Sequence, residues 1–208
     1  MTEEKIQWDA MASDETIQKT AEALKNHGID VIVVDSGKEA LDKIMSLIPE
    51  GSEIANGSST TLDQIGFVGY LMSGQHRWKN LHEEVINEKD PEKQGNLRRL
   101  SDAAEYFLGS VNAISQNGEL VACDATGSRV SAYPFAAKKL VLVAGTQKIV
   151  PNLELAMQRV REYVYPLEDQ RAFKAYGNHS TLGKWVIMEH EVIPNRTTLI
   201  LVKEKLGF

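Results

Sequence analysis

The chain has 208 residues, with 23 Lys and Arg against 29 Asp and Glu. The formal charge of −6 argues against nonspecific nucleic-acid binding and against a basic membrane-surface patch. A content of 42% apolar and 25% charged residues describes a globular chain rather than a disordered one.

No apolar run is long enough to cross a membrane, and Met1-Thr2-Glu3-Glu4-Lys5 lacks the basic and apolar regions of a secretion signal, so a cytoplasmic protein is expected. The first periodic segment follows Ser13-Asp14, where Ile17, Ala21 and Leu24 recur at helical spacing and Gly28 stops the helix. Ile29-Asp30-Val31-Ile32-Val33-Val34 predicts a buried parallel strand. Ser36 and Glu39 form a capping box for a helix through Ile48, and Glu53-Ile54-Ala55 predicts a short strand. This order implies right-handed crossovers and an α/β sheet. An apolar helix is expected from Leu62 to Met72. Trp78 to Leu108 reads as mostly helical, interrupted at Asp90-Pro91 and Gly95. Two β runs, Val111–Gln116 and Glu119–Asp124, flank Asn117-Gly118, the signature of a hairpin with a type I′ turn. Leu140–Gly145 is a further buried strand. Asn152 caps a helix carried by Leu153, Ala156, Met157, Val160 and Val164 and ended by Pro166, and Thr197–Val202 is the last strand.

Three loops carry residues suited to ligand chemistry. Asn56-Gly57-Ser58-Ser59-Thr60-Thr61 follows a strand and opens a helix, with Thr61 and Gln64 spaced as a capping box. Gly57 permits a tight turn, and small hydroxyl residues let an anion approach free N–H groups. The loop has neither a Walker A ending nor a Gly-x-Gly-x-x-Gly pattern, and no cofactor fingerprint is identifiable. Asp124-Ala125-Thr126-Gly127-Ser128-Arg129 offers Arg129 for a carboxylate or phosphate and Asp124 as general base; an Asp–Arg pair bracing the loop is the competing reading. Lys148 follows a buried strand, the address of a ligand-binding charge at the carboxyl edge of an α/β sheet; a surface lysine before the next helix is the competing reading. The single cysteine, Cys123, excludes an internal disulfide, and His76, His82, His179 and His190 lack metal-ligand spacing, so no metal site is expected.

With Gly57–Leu62, Arg98-Arg99, Val111–Ile114, Gly118–Val121, Gly127–Val130, Gln147–Val150 and Leu206-Gly207-Phe208 in view, the chain resembles the LUD (lactate-utilisation, formerly DUF162) family over most of its length. The resemblance implies a single domain over 1–208, within which the charged middle is read as a helical insertion around 73–108. It also implies an open Rossmann-like sheet of the type found in glucosamine-6-phosphate deaminase, ribose-5-phosphate isomerase and CoA transferases. It further implies a part in oxidising lactate to pyruvate, alongside iron–sulfur redox partner proteins, and a homo-oligomer is compatible with it. Where many relatives carry a cysteine-rich stretch, this chain has Tyr176–Gly183 without cysteine.

Two functions follow as expectations. In the first, the protein binds a small anionic metabolite: a carboxylate, a sugar phosphate or an acyl-CoA-like thioester. The ligand-binding set is Gly57, Ser58, Ser59, Thr60, Thr61, Asn112, Thr126, Gly127, Ser128, Arg129 and Lys148. Asp124 is the proton-moving group, and Glu119 is the nearest analogue of the nucleophilic Glu of CoA transferases. In the second, the chain is a non-catalytic accessory or regulatory subunit of a redox system.

Overall fold

The structure is a computed structural model that describes residues 6–208; the N-terminal Met1–Lys5 lies outside the described residues. Its central sheet has six parallel strands: β1 (Asp30–Val34), β2 (Glu53–Asn56), β3 (Lys79–Asn80), β4 (Tyr106–Gly109), β7 (Lys139–Gly145) and β10 (Thr197–Val202), in the order β1-β10-β7-β4-β2-β3. A second, mixed sheet is ordered β8-β5-β6-β9, from β5 (Ala113–Ser115), β6 (Leu120–Asp124), β8 (Ile149–Val150) and β9 (Lys184–Met188). The expected α/β class, with a largely parallel central sheet flanked by helices, is the observed one.

The period-2 alternation of the central strands builds two cores at once. Leu140, Leu142, Ala144, Leu199 and Leu201 face α1 (Asp14–Asn26) and the second sheet, joining Ile17, Leu24, Phe107, Ile114 and Leu120. Val141, Val143, Ile200 and Val202 face the opposite side. There they meet Ala40 and Ile44 of α2 (Gly37–Leu47), Leu62 of α3 (Thr60–Gln64), and Phe67 and Leu71 of α4 (Phe67–Met72). Each fully buried side chain of this size contributes roughly 1.5–3 kcal/mol by leaving water. A third core lies outside the second sheet, where Val121, Cys123 and Val150 pack on Ala156 of α7 (Leu153–Arg159) and on Val160.

Several elements differ from expectation. The run Ile29–Val34 is an edge strand whose Val33 is exposed; a β-branched run reports strand propensity, not position in the sheet. The Leu62–Met72 helix is two short helices broken at Gly66, which has φ 80°. Within the segment read as helical lie α5 (Leu81–Asn87) and α6 (Pro91–Ser101), but also β3 and the interior strand β4. Gly95 does not interrupt α6, which Asp90 caps by accepting the Glu92 and Lys93 N–H groups. The hairpin turn is not type I′, since only Gly118 has positive φ; a Ser115–Gly118 turn closes it through the Gly118 N–H to Ser115 C=O bond of 3.0 Å. The helix from Asn152 continues past Pro166. A π turn at Val160–Val164 leads into α8 (Tyr165–Tyr176), Pro166 lies in the first turn of α8, and Gly177 in the left-handed conformation ends it. Strand β9 was not anticipated. Among the described residues no helix is long and apolar enough to cross a membrane.

Candidate functional site

Parallel strands all end on one edge of a sheet, and the loops leaving those ends meet there. Here the ends of β2, β4 and β7, joined by the end of β6 and the segment after β10, surround a cleft of about 510 Å³. Lys148, Thr61, Ser110 and Val111 line it beside Arg129, Asp124 and Ser128. Arg98, His82 and Asp102 also line it, as do Val160, Val164 and Arg171 on the side of the π turn.

Lys148 is 3% exposed. Its Nζ donates to Thr61 Oγ1 at 3.1 Å, to Ser110 Oγ at 3.1 Å and to the Val111 carbonyl at 3.0 Å. Among the described residues no carboxylate lies within 4.0 Å of it. Burial, reinforced by the charges of Arg159 and Arg129, holds its ammonium well below the ordinary lysine range. Ser110 adjoins both cations: its Oγ meets Lys148, and its carbonyl accepts from Arg129 at 3.1 Å. The second Arg129 bond runs to the Cys123 carbonyl at 2.7 Å, leaving further N–H donors of the guanidinium for a ligand.

The loop after β2 is shaped around Arg129. A Cβ on Gly57 would stand 2.3 Å from Arg129 Cγ, so only glycine lets the two segments pass. Gly57, Ser58, Ser59, Thr60 and Thr61 all line the cleft, and the N–H groups of Ser58 to Thr60 take no backbone acceptor among the described residues. The cap of α3 is Ser59, which accepts the Leu62 N–H at 3.3 Å, rather than Thr61. Gln64 instead accepts the Gly207 N–H, and Gly207 lies so close to Thr61 that a Cβ there would be 2.4 Å from Oγ1.

The two candidate catalytic carboxylates, Asp124 and Glu119, do not meet in the cleft. Asp124 accepts the Arg129 and Thr126 N–H groups at 2.9 and 3.0 Å, an Asx turn that braces its own loop. Burial acts to raise its pKa, but these bonds and the Arg129 charge hold it below the usual carboxylate range, leaving a weak base. No side-chain ion pair joins it to Arg129. Glu119 lies outside the cleft, because the hairpin tip next to it packs on α1, with Gly118 against Ala23 and His27. Thr126 and Gly127 are also outside: Thr126 donates to Ser128 Oγ at 3.0 Å and Gly127 faces Lys184. Asn112 lines the cleft but uses its Oδ1 to accept the Cys123 N–H at 2.7 Å, clipping the hairpin strands together.

Several residues in or beside the cleft escaped the sequence reading. Ser110 and Asp102 flank the unrecognised strand β4, and Asp102 is buried with one oxygen orphaned while the other accepts the Ser131 hydroxyl at 2.5 Å. Burial raises the Asp102 pKa, and the nearby Asp124 adds to it. Tyr133 donates to the Ser110 carbonyl at 2.8 Å from a site open only because residue 109 is glycine. Arg98 stood in a motif without an assigned role. Arg159, fully buried, donates to the Trp8 and Asn112 carbonyls and has its pKa lowered by burial to about 10; an apolar helix face gave no signal for it.

These features define an α/β protein with a cation-lined cleft at its strand ends. Residues 17–202 match the LUD domain, and the chain belongs to that family. A crystal structure of a DUF162 family protein from Deinococcus radiodurans has a similar fold, with a TM-score of 0.52 over 93% of this chain and 99% of that one at 14% identity. No curated protein matches the chain.

Proposed function

We propose that the cleft binds a small anionic metabolite, a carboxylate, a sugar phosphate or the acyl end of a thioester, and that the protein serves lactate utilisation together with iron–sulfur redox partners. The observation that carries the reading is the convergence of Arg98, Arg129 and Lys148 on one cleft, none of them in an ion pair among the described residues. The fourth cation, Arg171, is already held by Glu168 at 2.7 Å. Lys148 is buried and Arg129 half-buried; a desolvated cation left unpaired is costly, and a bound anion removes that cost. A volume of about 510 Å³ suits a small metabolite. Family membership supports the link to lactate.

The second reading, an accessory subunit without catalysis, draws on Asp124, which lines the cleft but is engaged by its own loop, and on Glu119, which lies outside it. A thermal-shift screen against lactate, pyruvate, sugar phosphates and CoA esters tests the first reading. A ligand at ~100 times its Kd adds roughly 2.7 kcal/mol of stability. A shift confined to one class of anion supports binding, and no shift with any of them contradicts it.

A further inference from the structure

Resting on the anion-binding reading, we propose that Lys148 is a carbonyl-condensing amine. Its Nζ attacks the ketone or aldehyde carbon of a small substrate whose carboxylate or phosphate is held by Arg129.

Four observations converge on it. Lys148 is 3% exposed yet lines the cleft. All its hydrogen-bond partners, Thr61, Ser110 and Val111, are uncharged, so no carboxylate holds the amine in its ammonium form. The chain crosses above it at Gly207, where a Cβ would stand 3.2 Å from Nζ and 2.4 Å from Thr61 Oγ1; glycine keeps the amine's surroundings open. Arg129 is separated from it only by the span of Ser110, which bonds both. A small substrate carrying both a carbonyl and an anionic group can then meet both side chains in the one cleft. The lowered basicity of the buried amine agrees with this geometry.

The step balances without an external redox partner. The nitrogen lone pair forms the C–N bond while the carbonyl π electrons take a proton and become a hydroxyl. The carbinolamine loses that hydroxyl, protonated, as water, and an iminium remains on Nζ. The Thr61 and Ser110 hydroxyls, each 3.1 Å from Nζ, are placed to relay the proton. The iminium withdraws electrons from the neighbouring bond, so the substrate class is a small oxo acid or phosphorylated carbonyl compound that undergoes change next to its carbonyl.

The test uses the intact protein with glyoxylate, an anionic aldehyde, and cyanoborohydride near neutral pH. Peptide mass mapping compares modification at Lys148 with that at the exposed Lys138, and a melting curve with glyoxylate alone runs in parallel. At equal pH each unit by which an amine's pKa falls gives about tenfold more neutral form, so labelling at Lys148 at least about tenfold faster than at Lys138 is expected, and excess inorganic phosphate should suppress it. A raised melting temperature with label on surface lysines alone overturns the condensation and leaves anion binding standing. Neither a shift nor a label at Lys148 overturns both. Because the comparison is made within one protein, it holds even where Lys148→Met fails to fold.

Discussion

Burial strips an ammonium group of its hydration, and at Lys148 three neutral acceptors replace it where a carboxylate would normally stand. A lysine with its folded pKa below the ordinary 10.5 binds fewer protons folded than unfolded, so its penalty is fully present below the lowered pKa and is relieved as pH rises from there to 10.5. Lys148→Met should therefore raise stability at pH 7, by ~2–4 °C for each kcal/mol relieved. The gain over the native protein should shrink as melting curves are recorded at increasing pH toward 10. Asp102 is the acidic counterpart. With its pKa raised above 3.8, the folded state holds the proton more firmly, so stability falls as pH climbs through the raised value. Asp102→Asn keeps an acceptor for Ser131 and removes that loss. The variant should be the more stable at pH 7 and equal to the native protein below pH 3.8, a crossing that urea titrations at several pH values would reveal.

At the scale of elements, the two ligand loops depend on each other sterically. Gly57 does not have positive φ, so an alanine there is not strained in itself; its Cβ would collide with Cβ, Cγ and Cδ of Arg129. Gly57→Ala should weaken anion binding by about tenfold, or ~1.4 kcal/mol, by displacing the guanidinium. In an Arg129→Ala background the same substitution should add little, and calorimetric titration of the four proteins closes the cycle. Both loops were legible in the sequence because small residues, glycine and a strand end mark them directly. The roles of Asp124 and Glu119 were not, because hydrogen bonding to a residue's own loop and packing of a hairpin tip on a distant helix leave no local signature. Strand β4 was hidden for a related reason: four residues following a charged helix carry too little period to announce a strand, although Ser110, at its end, sits between the two cations.

Across the whole molecule, the net charge of −6 is that of a protein binding an anion against its own field, which makes local organisation of the cleft decisive. The parallel order of the central sheet sends the ends of β2, β4 and β7 to one edge, and the second sheet brings Arg129 to the same place from the end of β6. The α/β class was readable from alternating helix and strand patterns. The second sheet was not, since β8 and β9 pair with strands remote in sequence and their partners are chosen by tertiary packing. Arg129 is thus the point at which the two sheets and both ligand loops meet. Its own side-chain bonds to the Ser110 and Cys123 carbonyls mean that Arg129→Gln will lower stability somewhat as well as binding. The most direct measurement is calorimetric titration of the native protein and Arg129→Gln, folded and below their melting temperatures, with pyruvate, lactate, ribose 5-phosphate and acetyl-CoA. The account predicts saturable binding of one anion class to the native protein and a loss of about ten- to a hundredfold in Arg129→Gln, as removal of a charge-assisted hydrogen bond of ~1.5–3 kcal/mol requires. Saturable binding with the same affinity in both proteins, or no saturable binding to the native protein, would contradict it.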